Sequence, residues 1–172
     1  RLNDLSYEDA YSYLKELENI PSKIEKALES AGKVKEIAEI FKDAKNALFL
    51  GRGVNYPVAL EGALKLKEIS YVHAEGYPAA EMKHGPIALI DENMPVIVIA
   101  TKDPLYEKTL SNIQEVRARK GKVIVVANEG DEKIKEFADY VIPVPETLPM
   151  LAPLVNIIPL QLFSYYSALQ RG

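Results

Sequence analysis

Four short apolar runs with helical segments between them constrain the fold of this chain more than any other feature. They are rich in Val, Ile and Leu, and they are residues 46–50 (NALFL), 95–100 (PVIVIA), 122–127 (KVIVVA) and 140–144 (YVIPV). Near-continuous runs of this kind are typical of parallel strands that are buried on both faces. Because helices are predicted between them, the pattern predicts an α/β fold with a parallel sheet covered by helices on both sides.

Two details extend the predicted sheet. Residues 72–76 are compatible with one more strand, and Pro143 indicates that the run at 140–144 is an edge strand. The predicted helices around the strands are residues 56–71, 105–120, 132–138 and 151–169. Ligands of such sheets bind beyond the carboxyl ends of the strands, so the loops after Leu50, Ala100 and Ala127 are the first places to expect a site.

The first 44 residues have a different pattern from the rest. They predict three helices, at residues 7–18, 21–29 and 34–44, of which the first two are amphipathic, with Pro21 in the first turn of the second. We therefore expect a helical lead-in or linker at 1–44, packed on a single domain at 45–172. The chain lacks an initiator methionine, which leads us to expect a fragment of a larger protein.

Composition excludes several classes of function. Of the 172 residues, 48% are hydrophobic and 27% are charged, which is typical of a globular domain and not of a disordered chain. A net charge of -4 without a Lys/Arg stripe disfavours nucleic acid as a partner. The absence of cysteine excludes thiolate metal sites and cysteine catalysis, and the two histidines have no metal-site spacing. We expect no metal, no cofactor and a cytoplasmic location.

Residues 147–170 carry no charge, which raises the question of a membrane span. Pro149, Pro153 and Pro159 fall within this stretch, as do several polar side chains. This composition favours a helix buried in the core or in a subunit interface, and no membrane partner is expected.

The turn Gly51-Arg52-Gly53 follows the first predicted strand and directly precedes a helix. Small residues at such a position let backbone amides face an anion, so these three residues are candidates for substrate binding. Tyr56 stands where a dinucleotide fingerprint needs a third glycine, which disfavours that kind of site. The alternative is a tight strand-to-helix turn without a ligand.

The helix after this turn carries a narrow charged stripe. Glu61, Lys65 and Glu68 are spaced i, i+4, i+7 and so fall within an arc of about 60°. Apolar side chains cover most of the remaining circumference, which predicts a buried helix: Val58, Ala59, Leu60, Ala63, Leu64, Leu66 and Ile69. The stripe is either a solvated set of ion pairs or an acid–base set, in which a carboxylate moves a proton and the lysine keeps it ionised.

A third candidate segment is residues 81–86 (EMKHGP), where three ionisable side chains precede a Gly-Pro break. Histidine is the only side-chain type whose unperturbed pKa lies near neutrality, so His84 is a candidate for moving a proton between a hydroxyl and a ring oxygen. The alternative is an exposed loop histidine. His73, between Val72 and Ala74, is interpreted as structural.

Taken together, FLGRG and LEGALKLKEISYVHAEGYPAAEMKHGPIALI resemble the second sugar-isomerase (SIS) domain of the glucosamine-6-phosphate synthase family. The match is densest over residues 49–90 and continues more weakly to the final helix. The resemblance implies a three-layer fold, with a five-stranded parallel sheet between helices and a flavodoxin-like layout. It implies that the parent chain is a glutamine–fructose-6-phosphate transaminase of amino sugar biosynthesis. Fructose 6-phosphate opens, takes ammonia at C2 as an imine and isomerises to glucosamine 6-phosphate.

The resemblance also implies roles for individual residues. Glu68 matches the base that moves a proton between C1 and C2, and Lys65 matches a lysine that assists at the neighbouring hydroxyl. His84 matches the ring-opening histidine, which in the family reaches the active site of the partner subunit. Glu61 has only a supporting role. The implied partners are a first SIS domain and a glutaminase domain of the parent chain, and a second copy in a homodimer.

The chain departs from the family's complete enzyme in three ways. It has no nucleophilic cysteine, no Ser/Thr-rich phosphate loop and no lysine-bearing tail after Gly172. We therefore expect the isolated chain to be a folded half-site without synthase activity. Two alternatives remain: a related SIS sugar-phosphate isomerase or deaminase, and a SIS sensor of sugar phosphates in a transcription regulator. The charged stripe and His84 disfavour the sensor.

Overall fold

The computed structural model describes residues 6–172 and contains a five-stranded, all-parallel sheet between two helical layers. The strands are β1 (Asn46–Gly51), β2 (His73–Pro78), β3 (Pro95–Ile99), β4 (Lys122–Asn128) and β5 (Tyr140–Val144), in the order β2-β1-β3-β4-β5. The predicted α/β fold is confirmed. β5 lies at an edge of the sheet, as Pro143 predicts. A proline has no N–H to donate, and on the open side of an edge strand no donor is needed.

Five α-helices and three short 3₁₀ turns cover the sheet. The helices are α1 (Tyr7–Leu28), α2 (Ala31–Ile40), α3 (Asn55–Ser70), α4 (Tyr106–Ala118) and α5 (Ala152–Arg171), and the 3₁₀ turns are Ala79–His84, Pro86–Leu89 and Lys133–Glu136. Side chains alternate along each strand and form two cores. Phe49 and Ile97 face the layer of α2, α3 and α5, whereas Leu50 and Val98 face α4 and the turn at 79–84.

The helix predictions for residues 7–29 and for residues 132–138 differ from the structure. The segments at 7–18 and 21–29 form one continuous helix, with Pro21 inside it. The carbonyl of Leu17, which loses its helical partner to Pro21, lies on the exposed side of α1, where water can bond it. The predicted helix at 132–138 is a single 3₁₀ turn, whose Ile134 amide is capped by Asp131 at 3.2 Å.

The charge-free stretch forms α5, which packs against α1, α2 and α3 in the centre of one layer. Val155, Leu160 and Phe163 are buried there. Within residues 6–172, no helix is both long enough and apolar enough to cross a membrane. The prediction of a buried helix is confirmed. Packing inside the chain explains most of its apolar character, so α5 by itself is a weaker argument for a dimer than its sequence indicated.

The N-terminal helices contact the rest of the chain directly. α2 places Val34 and Ile37 in the first core. The Glu16 carboxylate on α1 accepts hydrogen bonds from Lys23 and, at 2.6 Å, from Thr147 in the loop before α5. The bond from Lys23, followed by that from Thr147, lowers the pKa of Glu16. Residues 1–5 of the expected lead-in lie outside the described part of the chain.

Candidate functional site

The charged stripe of α3 is a connected set of ion pairs. The Lys65 ammonium lies 2.8 Å from the Glu68 carboxylate and 3.6 Å from that of Glu61. The Lys65, Glu61 and Glu68 side chains are 35%, 41% and 48% exposed, respectively. The hydrogen bond to Glu68 raises the pKa of Lys65, so the lysine is protonated at neutral pH. The arrangement presents a carboxylate beside a cation on a helix, which suits proton transfer on a small substrate.

The turn after β1 sets where α3 begins. A Cβ on Gly51 would lie 2.1 Å from the Asn55 carbonyl oxygen, so the strand and the helix start approach as closely as only glycine permits. Gly53 has a φ of 52°, which also favours glycine. The Asn55 and Tyr56 amides donate to the carbonyls of Arg52 and Gly53 at 2.9 and 3.1 Å. These two amides close the turn and are not free to bind an anion, which supports the alternative of a strand-to-helix turn without a ligand.

Only one side of α3 is buried within this chain. Ala59, Gly62 and Ala63 pack toward the sheet and α5, and Gly76 of β2 comes so close to Leu60 that a Cβ would lie 2.8 Å from its Cα. Leu60 and Leu64, however, are 42% and 41% exposed. The prediction that the apolar residues are buried is therefore wrong for these two, and also for Ile69. They lie on a side of α3 that no element among residues 6–172 covers.

The structure does not bring His84 to Glu68 within one chain. His84 ends the turn at 79–84, which follows β2 at the carboxyl edge of the sheet and packs with α4. Glu68 lies on the other layer, and α3 runs back toward the amino edge of the sheet between two parallel strands. At 1.5 Å per residue, Glu68 is about 20 Å along the helix from its start at Asn55. One chain therefore contributes these two groups to different places.

The His84 imidazole is itself open to solvent. Its side chain is 76% exposed, and its Nε2 atom lies 3.7 Å from the Glu81 carboxylate. His73 is also exposed, at the start of the edge strand β2, with its Nε2 atom 3.5 Å from Glu75. A solvent-exposed position gives His73 no role in the core, so the interpretation of it as a structural residue has no support in packing.

The carboxyl edge of the sheet is closed by a polar network that the sequence did not reveal. The Asn156 amide donates to Asn55 at 2.9 Å and to Thr101 at 3.1 Å, and Asn55 donates to Thr101 at 3.3 Å. All three side chains are buried. The cavity that they line measures about 10 Å³, too small for a sugar phosphate. Two signals were available in the sequence: Asn156 interrupts an apolar helix, and Thr101 directly follows a strand.

We expect Asn156→Leu to lower the free energy of unfolding by about 1–3 kcal/mol, because it leaves the buried side-chain oxygen of Asn55 (Oδ1) without its donor. Urea unfolding followed by circular dichroism measures the change. Gln161→Leu is the matched control, since Gln161 lies on the exposed side of the same helix and its loss should change stability by at most about 0.5 kcal/mol. Equal midpoints for the two variants would show that the network contributes nothing to stability.

Arg52 does not point freely into a cleft. Its Nε atom donates to the Asn112 side-chain oxygen at 3.0 Å, which ties the turn after β1 to α4. In the described part of the chain, no group of three or more histidine, aspartate and glutamate side chains is arranged to hold a metal ion. The candidate catalytic side chains are therefore those of the charged stripe on α3 and, at a separate place, that of His84.

Comparison with known proteins gives one family and several close relatives. The SIS domain model matches residues 40–171. The glutamine–fructose-6-phosphate aminotransferase (isomerizing) of Chlorobaculum tepidum is 61% identical over 168 residues, which cover 98% of this chain and 27% of the relative. The chain thus spans about a quarter of the length of that relative.

Two solved structures have the same fold as this chain over at least 90% of its length. The C-terminal domain of glucosamine-fructose-6-phosphate aminotransferase from Francisella tularensis has a TM-score of 0.92 at 45% identity, covering 99% of this chain and 48% of that one. Glucosamine-6-phosphate deaminase from Thermotoga maritima has a TM-score of 0.72 at 25% identity, covering 90% of this chain and 44% of that one. These comparisons confirm the resemblance found in the sequence.

Proposed function

The chain belongs to the SIS domain family, and from this premise we propose that it is the second sugar-isomerase domain of a glutamine–fructose-6-phosphate aminotransferase. In this role it carries the residues that convert the ketose to the aldose as fructose 6-phosphate becomes glucosamine 6-phosphate. The observation that carries the proposal is the contact between Lys65 and Glu68 on the open side of α3. The domain comprises residues 45–172, and the segment before it, with α1 and α2, is its lead-in.

In the proposed reaction, Glu68 is the base. Its carboxylate removes a proton from C1 of the imine, and the electron pair of that C–H bond forms the C1–C2 double bond of an enolamine while the imine nitrogen takes up a proton. Glu68 then returns a proton to C2 as the C1 hydroxyl loses its own and becomes the aldehyde. The Lys65 ammonium stabilises the negative charge that develops on that oxygen. Glu61 has a supporting role, as the second and more distant carboxylate beside Lys65.

The proposal requires surfaces that this chain does not supply. Glu68, Lys65, Leu60 and Leu64 are partly exposed, and catalysis of this kind needs a site from which water is excluded. We propose that a first SIS domain of the parent chain covers α3 and holds the phosphate, with a glutaminase domain supplying ammonia. Because His84 and Glu68 lie on opposite layers, we also propose that His84 serves the site of a second copy in a homodimer, in the cytoplasm.

A deaminase or isomerase of the same family is the weaker alternative. The deaminase structure shares 25% identity with this chain, against 45% for the aminotransferase domain. A proton transfer between C1 and C2 is common to both reactions, so the charged stripe alone does not separate them. Sequence identity therefore favours the aminotransferase.

We expect the isolated 172-residue chain to form no glucosamine 6-phosphate from fructose 6-phosphate and ammonium, because it lacks the covering domain and its phosphate loop. A coupled assay for the amino sugar measures this, with circular dichroism to show that the chain is folded. The positive control is a chimaera in which this chain replaces the matching 168 residues of the Chlorobaculum tepidum relative. Turnover by the isolated chain would contradict the half-site account.

A further inference from the structure

Asn112 is a buried polar residue on the apolar face of α4. Its neighbours on that face are Leu110, Ile113 and Val116, and it is 5% exposed. Its side-chain oxygen accepts a hydrogen bond from Arg52 Nε at 3.0 Å, and its nitrogen lies 3.4 Å from a carboxylate oxygen of Glu115. Arginine can only donate and an ionised glutamate can only accept, so the two neighbours fix the orientation of the amide.

The contacts continue from Glu115 to the segment that carries His84. The other carboxylate oxygen of Glu115 lies 2.9 Å from the Lys83 ammonium, and their side chains are 25% and 60% exposed. Four side chains thus form one polar chain, Arg52–Asn112–Glu115–Lys83, which we call the α4 relay. It joins the turn after β1, the middle of α4 and the residue directly before His84.

The turn at 79–84 needs such an anchor. A 3₁₀ turn of this length has poor internal hydrogen-bond geometry, and Gly85 after it has a φ of 144°. Met82 is fully buried and fixes one side of the turn in the second core. Lys83 is the next residue, and its ion pair with Glu115 attaches the turn to α4 at a second point. Because Met82 and Lys83 both fix the turn, the position of the exposed His84 that follows them is fixed as well.

We propose that Asn112 and Glu115 are positioning residues, which hold the His84-bearing turn through the α4 relay so that the imidazole is presented to a substrate ring. This inference rests on the proposed function. Glu115 and Asn112 act through Lys83 and contact no substrate themselves. A purely structural role predicts a change in stability alone, whereas positioning predicts a selective loss of the step that His84 performs.

The test uses the chimaera and two substrates. Fructose 6-phosphate must be opened before it reacts, whereas 5-deoxyfructose 6-phosphate lacks the hydroxyl that closes the ring and is always open. We expect Lys83→Glu and Glu115→Lys each to lower kcat on fructose 6-phosphate about tenfold, with at most a twofold change on the open substrate. The double variant Lys83→Glu/Glu115→Lys restores the 83–115 ion pair in reverse but loses the acceptor for the Asn112 amide, so it should recover part of the activity. Lys108→Glu, on the outer face of α4, is the control for added surface charge.

The outcomes separate this inference from the proposed function. Equal losses on both substrates, or no loss, would overturn the positioning role, and failure of the double variant to recover would do the same. Thermal unfolding of each variant shows whether any loss follows from instability. If Glu68→Gln in the same chimaera keeps its activity on both substrates, the proposed function itself fails, whatever the Lys83 variants do.

Discussion

Glu68→Gln in the chimaera is expected to lower kcat about a thousandfold, with little change in KM. General base catalysis by a positioned carboxylate contributes about 10²–10⁴-fold, and glutamine has nearly the same shape but cannot take the proton from C1. The contact with Lys65 can persist through the glutamine oxygen, so the loss reports on the proton acceptor and not on packing. The rate of glucosamine 6-phosphate formation under saturating substrate measures the effect.

Glu61→Gln is the matched control for this prediction. Glu61 lies on the same face of α3 and also pairs with Lys65, but at 3.6 Å against 2.8 Å for Glu68. We expect its kcat to fall less than about tenfold, because only one of the two carboxylates transfers the proton. If Glu61→Gln were the inactive variant and Glu68→Gln the active one, the roles assigned along the stripe would be reversed.

Gly51→Ala is expected to lower the free energy of unfolding by about 3 kcal/mol or more. The added Cβ would lie 2.1 Å from the Asn55 carbonyl oxygen and 2.5 Å from its carbon, which are backbone atoms at the start of α3. A flexible side chain could move away, but these atoms can retreat only if the helix shifts from β1, which disturbs the packing of both. Urea unfolding of the 172-residue chain, followed by circular dichroism, measures the loss.

Gly32→Ala is the control for the loss of a glycine. Gly32 lies in α2, and a Cβ there meets no atom within 4 Å. Alanine has the higher helix propensity, so we expect an unchanged or slightly higher stability, by up to about 1 kcal/mol. A Gly51→Ala midpoint equal to that of Gly32→Ala would contradict the close approach of β1 and α3.

The strands were predictable because buried parallel strands leave a strong signal in sequence. The runs at 46–50, 95–100, 122–127 and 140–144 all became strands, with bounds that differ by at most one residue. The helix errors have physical causes that apolar periodicity does not contain. A proline is tolerated inside α1 because the carbonyl that it leaves free lies on the exposed side of the helix. The segment after Asp131 forms a 3₁₀ turn whose Ile134 amide donates to the Asp131 carboxylate.

The candidate site was only partly predictable. Helical spacing alone places Glu61, Lys65 and Glu68 on one face, and the structure shows them in contact. Spacing cannot show that Glu68 and His84 lie on opposite layers, because that depends on which face of the sheet each segment packs against after it leaves its strand. The contacts of Asn156 and Asn112 were missed for a related reason: each joins segments that are more than 50 residues apart in sequence.

The central claim is that this chain supplies the isomerising residues of an aminotransferase, and the most direct test is the rate at which the chimaera makes glucosamine 6-phosphate from fructose 6-phosphate and glutamine. We predict a rate within about tenfold of the parent relative, since 61% of the exchanged residues are identical and the stripe on α3 is complete. A folded chimaera that hydrolyses glutamine but forms no amino sugar would contradict the claim.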